Sequence, residues 1–134
     1  MKEVKIISID NRGRIVLPLV TRKNLGLTTS SQLMLVSDSE TKEIRITPVG
    51  ITAEDKPIKF RITMKDEPGS LAKIANIFGD LGISLMYGES VILEKDKKAI
   101  WTVISPNPNN ISLDDLEREL KTRGNALEVS ISLL

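Results

Sequence analysis

Residues 10–27 read D-N-R-G-R-I-V-L-P-L-V-T-R-K-N-L-G-L, and their order decides how the N-terminal third of the chain is read. Gly13 supplies the backbone freedom that a tight turn needs and turns Arg12 and Arg14 outward on either side of it. A short strand follows over 14–18. Pro18 then opens a short helix over 19–25, and Gly26 stands just past its end as a stop. Arg22 and Lys23 fall on that helix, so four cations bracket one strand and one helical turn. The planar fork of Arg suits both phosphate oxygens and guanine edges. The plain alternative is a solvated charged face.

Outward from this stretch, residues 5–9 read as a strand entering the turn, with Lys5 at its start. Strands over 32–37 and 43–48 follow, joined by the polar turn D-S-E-T-K. About fifty residues of short strands bury little surface on their own, so the head is expected to form an obligate dimer. Its charge differs from that of the remainder. Residues 1–50 carry 8 Lys+Arg against 5 Asp+Glu, a net of +3, whereas 51–134 carry 11 against 13, a net of −2. A head biased this way fits an anionic partner.

Composition excludes several kinds of chemistry. The chain has no cysteine, hence no disulfide and no thiolate metal site, and no histidine, hence no Ser–His or Cys–His nucleophile. No cofactor or metal is expected, and no enzymatic activity. No apolar run reaches the eighteen residues of a membrane span. The opening M-K-E-V-K-I lacks the apolar core of a secretory signal, so a cytoplasmic protein that does not contact membranes is expected.

Residues 50–57, V-G-I-T-A-E-D-K-P less its first residue, read as a short linker punctuated by Gly50 and Pro57. Beyond it Ile58, Phe60, Ile62 and Met64 alternate with Lys59, Arg61, Thr63 and Lys65, the pattern of a half-buried strand. A helix over 70–81 carries Leu71, Ile74, Ala75, Phe78 and Leu81 on one stripe, with Gly82 past its end. Residues 83–94 and 98–105 read as a hairpin around K-D-K. Ser112 reads as the N-cap of a helix striped by Leu113, Leu116 and Leu120, with Asp115 in the capping-box position and Gly124 ending it. A strand alternating Leu127, Val129, Ile131 and Leu133 closes the chain. The order βαββαβ is the split-βαβ, ferredoxin-like pattern. Trp101 and Tyr87 on the hairpin are expected to pack in a core or interface, and Asp114, Asp115, Glu117 and Glu119 to form a solvated helix face.

The run R-G-R-I-V-L-P-L-V-T-R-K-N-L-G-L resembles the AbrB-like swapped-hairpin family over residues 4–49. The resemblance implies an all-β swapped-hairpin dimeric barrel with one short helix, binding double-stranded DNA through a basic face. Arg14, Arg22 and Lys23 match the family's basic positions, and Arg12 and Lys5 complete the expected DNA-binding set. The run K-D-E-P-G-S-L-A-K-I-A-N-I-F-G-D-L-G-I-S-L resembles the ACT domain, a small regulatory module that commonly binds amino acids; the match spans 58–134. It implies an α+β tail that pairs side by side, with Asp66, Glu67, Pro68, Gly69, Ser70 and Leu71 as the ligand-facing loop. Ser84 stands where the family often has Asn.

Together these readings predict a head over 1–49, a linker over 50–57 and a tail over 58–134. The function expected is that of a DNA-binding transcriptional regulator, a homodimer or homotetramer, whose affinity is modulated by a small-molecule effector, expected to be an amino acid. Two alternatives stand beside it: a regulatory subunit that binds an amino acid and docks on a biosynthetic enzyme without touching DNA, and an antitoxin-like protein.

Overall fold

The computed structural model describes residues 2–134, a small α+β protein with two sheets and three α-helices. The chain divides into two compact units, parted between Thr52 and Ala53. No helix among the described residues is long and apolar enough to cross a membrane.

In the first unit, helix α1 (Leu19–Asn24) is followed by an antiparallel hairpin, β1 (Gln32–Asp38) and β2 (Glu43–Val49), with Gln32 opposite Val49 and Asp38 opposite Glu43. Helix α1 ends in a Schellman motif. Gly26, at φ 66°, donates to the Lys23 carbonyl at 3.2 Å, and Leu27 donates to the Arg22 carbonyl at 2.8 Å.

The strands expected over 5–9 and 14–18 belong to no sheet within one chain, which corrects the sequence reading. Both segments run toward and away from the 10–13 turn, and among the described residues they are joined across it through Asp10 and Arg14 alone, the Asp10 amide donating to the Arg14 carbonyl at 2.9 Å and the Asp10 carboxylate accepting from Arg14. Alternation of apolar residues marks a strand but does not supply its partner, and here no other segment of the chain pairs with either arm. No residue of this unit is buried among those described; Ile6 is 100% exposed and Val4 89%.

The second unit opens with a single 3-10 turn (Ala53–Asp55) inside the stretch read as linker. It then runs β3 (Ile58–Met64), α2 (Ser70–Asp80), β4 (Tyr87–Glu94), β5 (Lys98–Ser105), α3 (Leu113–Thr122) and β6 (Glu128–Leu133). The sheet order is β4-β5-β3-β6, and every neighbouring pair is antiparallel. Central strand β3 buries Ile58, Phe60, Ile62 and Met64, as its alternation predicts, against Ile74, Ile77 and Phe78 of α2 and Leu116 and Leu120 of α3. Phe78 meets Phe60 edge-on at 5.3 Å and Trp101 edge-on at 5.9 Å, the geometry aromatic quadrupoles favour. Trp101 is therefore a core residue.

Strand β4 is shorter than the 83–94 expected, because the chain first closes a Schellman motif on α2. Gly82, at φ 67°, donates to Gly79 O, and Ile83 donates to Phe78 O at 2.9 Å. Between Ile92 and Glu94 the register of β4 against β5 shifts by a bulge.

Ser112 caps α3, its Oγ accepting from the Asp115 amide at 3.1 Å. The reciprocal half of the box is missing, since the Asp115 carboxylate turns to Arg118 at 3.0 Å. Arg123 ties the end of α3 to α2 through Asp80 at 3.2 Å while also pairing with Glu119 of its own helix at 2.9 Å, and these carboxylates, Glu119 first, raise its pKa further.

Gly124 has a different role from the stop read in the sequence. The left-handed residue here is Asn125, at φ 57°, whereas Gly124 is buried where α3 meets α2. A Cβ there would lie 2.6 Å from the Leu120 carbonyl oxygen and 2.9 Å from Ile77 Cδ1. Gly124→Ala should therefore force the two helices apart and destabilise the tail by about 1–3 kcal/mol, the usual cost of overpacking. Urea denaturation followed on the fluorescence of Trp101, the single tryptophan, reads this directly; an unchanged midpoint would refute it.

Candidate functional site

The turn over 10–13 is organised by Asp10, a residue the basic motif does not draw attention to. Its Oδ1 accepts from the amides of Arg12 at 2.9 Å and Arg14 at 2.8 Å, and its Oδ2 accepts from Arg14 Nε at 2.8 Å. Gly13 donates to the Asp10 carbonyl at 3.0 Å and takes φ 75°. One carboxylate thus closes an Asx turn and holds the guanidinium of Arg14 by its Nε, leaving its two terminal nitrogens directed elsewhere. The backbone hydrogen bond from Arg14, and then the Arg14 side chain, hold the Asp10 carboxyl below its usual 3.8. Both partners are exposed, so the pair orients Arg14 more than it stabilises the unit. An Asp three residues before a Gly is the signal that could have found it.

Helix α1 sets the second pair of cations. Arg22 folds back so that its Nε donates to the Leu17 carbonyl at 3.1 Å, bracing the helix against the strand segment before it. Lys23 extends from the next position. The side chains of Lys5, Arg12 and Lys23 are exposed and have no hydrogen-bond or ion-pair partner among the described residues. The five expected basic side chains thus stand two on a carboxylate-pinned turn, two on a short helix and one on an arm. Such an array can neutralise phosphates.

In the tail, the segment from β3 into α2 has a glycine opening the helix: Gly69 is the N-cap at φ 88°, with no side chain capping the first turn. Glu67, Pro68, Gly69 and Ser70 line a cleft of about 520 Å³, together with Lys65, Lys73 and Lys121. Asp66 also has a structural partner of its own. Its Oδ2 accepts from the Asp96 amide at 2.7 Å, and its own amide donates to the Lys97 carbonyl at 3.2 Å, so it fastens the β4–β5 turn to the β3–α2 loop. Neither Asp66 nor Leu71 is on the walls of the cleft.

Ser84 is not brought to this loop within one chain. It lines a smaller cleft of about 290 Å³ with Gly82 and the Pro106–Asn110 loop, past the far end of α2. Eleven helical residues rising about 1.5 Å each separate the two by roughly 16 Å. Among the described residues, no three carboxylates come together in a way that could hold a metal ion. No protein-family model matches this chain, and no curated protein matches it.

The Asp10 contacts have a testable sign. A carboxyl whose folded pKa is lowered contributes order that is complete above 3.8 and is lost as pH falls through the lowered value. NMR titration of the Asp10 carboxyl carbon should give a value below 3.8. In Arg14→Ala it should move upward without reaching the ordinary value, because the position-14 amide still donates. Titration at 3.8 in the unmodified chain would refute the arrangement.

Proposed function

We propose that this chain is a DNA-binding transcriptional regulator: an AbrB-like swapped-hairpin head joined to an ACT-like, ferredoxin-like sensory tail. The observation that carries this reading is the state of the head within one chain. Fixing a residue's backbone costs about 1–2 kcal/mol of conformational entropy, and burial is the main term that offsets it. The head buries no described residue, leaves Ile6, Val4, Val16 and Ile44 in solvent, and pairs neither arm of its first hairpin. Exchange of those arms between two copies supplies partners for both the amides and the apolar side chains. The same exchange doubles Lys5, Arg12, Arg14, Arg22 and Lys23 on one assembly, and a doubled basic array is what a duplex of regular phosphate spacing selects.

The tail supports the sensory half of the reading. Its βαββαβ element order and the cleft that Glu67, Pro68, Gly69 and Ser70 line are what supports it. An effector held by paired tails alters the spacing of the heads, and coupling of this kind amounts to about 1–3 kcal/mol in DNA affinity.

The test is a gel shift on a random duplex at two salt concentrations. With about six to eight phosphate contacts per dimer, affinity should fall roughly 1,000-fold or more between about 50 and 200 mM salt. Arg22→Ala with Lys23→Ala should make the salt dependence shallower by about one per phosphate contact removed. Sedimentation should give at least a dimer. No binding at the lower salt, with the dimer intact, would favour a regulatory subunit that never meets DNA.

A further inference from the structure

The cleft beside the β3–α2 loop is basic in a way that neither the tail's composition nor its motif foretells. Lys65 comes from just past β3, Lys73 from the first turn of α2 and Lys121 from the last turn of α3. Glu67 is the one carboxylate on the walls, so three ammonium groups face one opposite charge. That local excess sits in a segment, 51–134, whose net charge is −2.

Basic groups nearby on α3 are compensated: Arg118 pairs with Asp115, and Arg123 with both Glu119 and Asp80. The ammonium groups of Lys65, Lys73 and Lys121 have no ion-pair or hydrogen-bond partner among the described residues. Like charges gathered from three separate segments without counter-charges repel one another, and a ligand that neutralises them relieves that repulsion. The volume lies within the range of small-molecule sites. Lysine is a flexible point charge well suited to phosphate and carboxylate oxygens. A zwitterionic amino acid brings one carboxylate and an ammonium that these lysines repel.

We infer that this cleft takes a small multivalent anion, a phosphorylated or polycarboxylate metabolite, in preference to a neutral amino acid. The inference rests on the reading of the tail as a sensory module and changes the class of molecule sensed.

The experiment measures the thermal midpoint of the full chain at constant ionic strength, with pyrophosphate and citrate as anionic probes and glycine, serine and leucine as zwitterions. Either anion should raise the midpoint in proportion to RT ln(1 + [L]/Kd) at concentrations up to roughly 10 mM. Lys73→Gln with Lys121→Gln should weaken that binding at least about tenfold. Arg22→Gln with Lys23→Gln, in the head, should leave it in place. A response to one anion and not the other separates a phosphate ligand from a carboxylate one. An equal anion response in the tail-lysine variant overturns the inference, because the anion is then held elsewhere. Stabilisation by zwitterions alone overturns it while leaving the sensory tail intact. Silence toward every probe removes both.

Discussion

Burial is divided unequally along this chain, and most of its architecture follows from that division. The tail completes its own apolar layer: β3 is paired on both edges, and its alternate residues Ile58, Phe60, Ile62 and Met64 are sealed by two helices. Nothing in the head plays that part. Its apolar residues alternate along segments that point them at solvent, and its backbone amides over 2–9 make no hydrogen bond among the described residues. Residues 2–9 are all exposed, so in a single chain these amides are left to water while their apolar side chains stay unburied.

Electrostatics on both units acts through position more than through energy. The Asp10–Arg14 pair is exposed and screened, yet it decides which nitrogens of Arg14 remain available and keeps Arg12 and Arg14 on one turn. Asp66 behaves similarly in the tail, where its carboxylate joins two turns that are thirty residues apart in sequence. In both units an acidic residue embedded in a motif of another apparent purpose turns out to hold the scaffold.

The elements legible in the sequence were those with local causes. The alternation of β3, the Ser112 cap and the Gly26 and Gly82 stops each depend on a few adjacent residues and stand where the sequence puts them, whereas the stripe of α2 holds at Ile74 and Phe78 but leaves Leu71 exposed and buries Ile77 instead. The readings that failed depend on contacts distant in sequence. The first hairpin has strand character but no partner within the chain. Gly124 is glycine because Ile74 and Ile77 lie against it, not because a left-handed backbone is needed there. The same holds for the candidate site. The Glu67–Ser70 part of the loop was readable from its Pro-Gly turn, whereas Lys65 and Lys121 line one cleft only after the 55 residues of chain between them have folded.

The bulge between Ile92 and Glu94 has a consequence for solubility. Strand β4 is the outer strand of its sheet, and Val91, Ile92 and Leu93 are exposed on it. A straight strand of that composition offers its free amides and carbonyls as a template on which further molecules can stack without limit. The register shift twists that rim away from flat pairing, and the charges from Glu94 through Lys98 follow at once in the turn and the first residue of β5. One extra residue in the ladder thus guards an apolar border against fibre growth without adding any covering element.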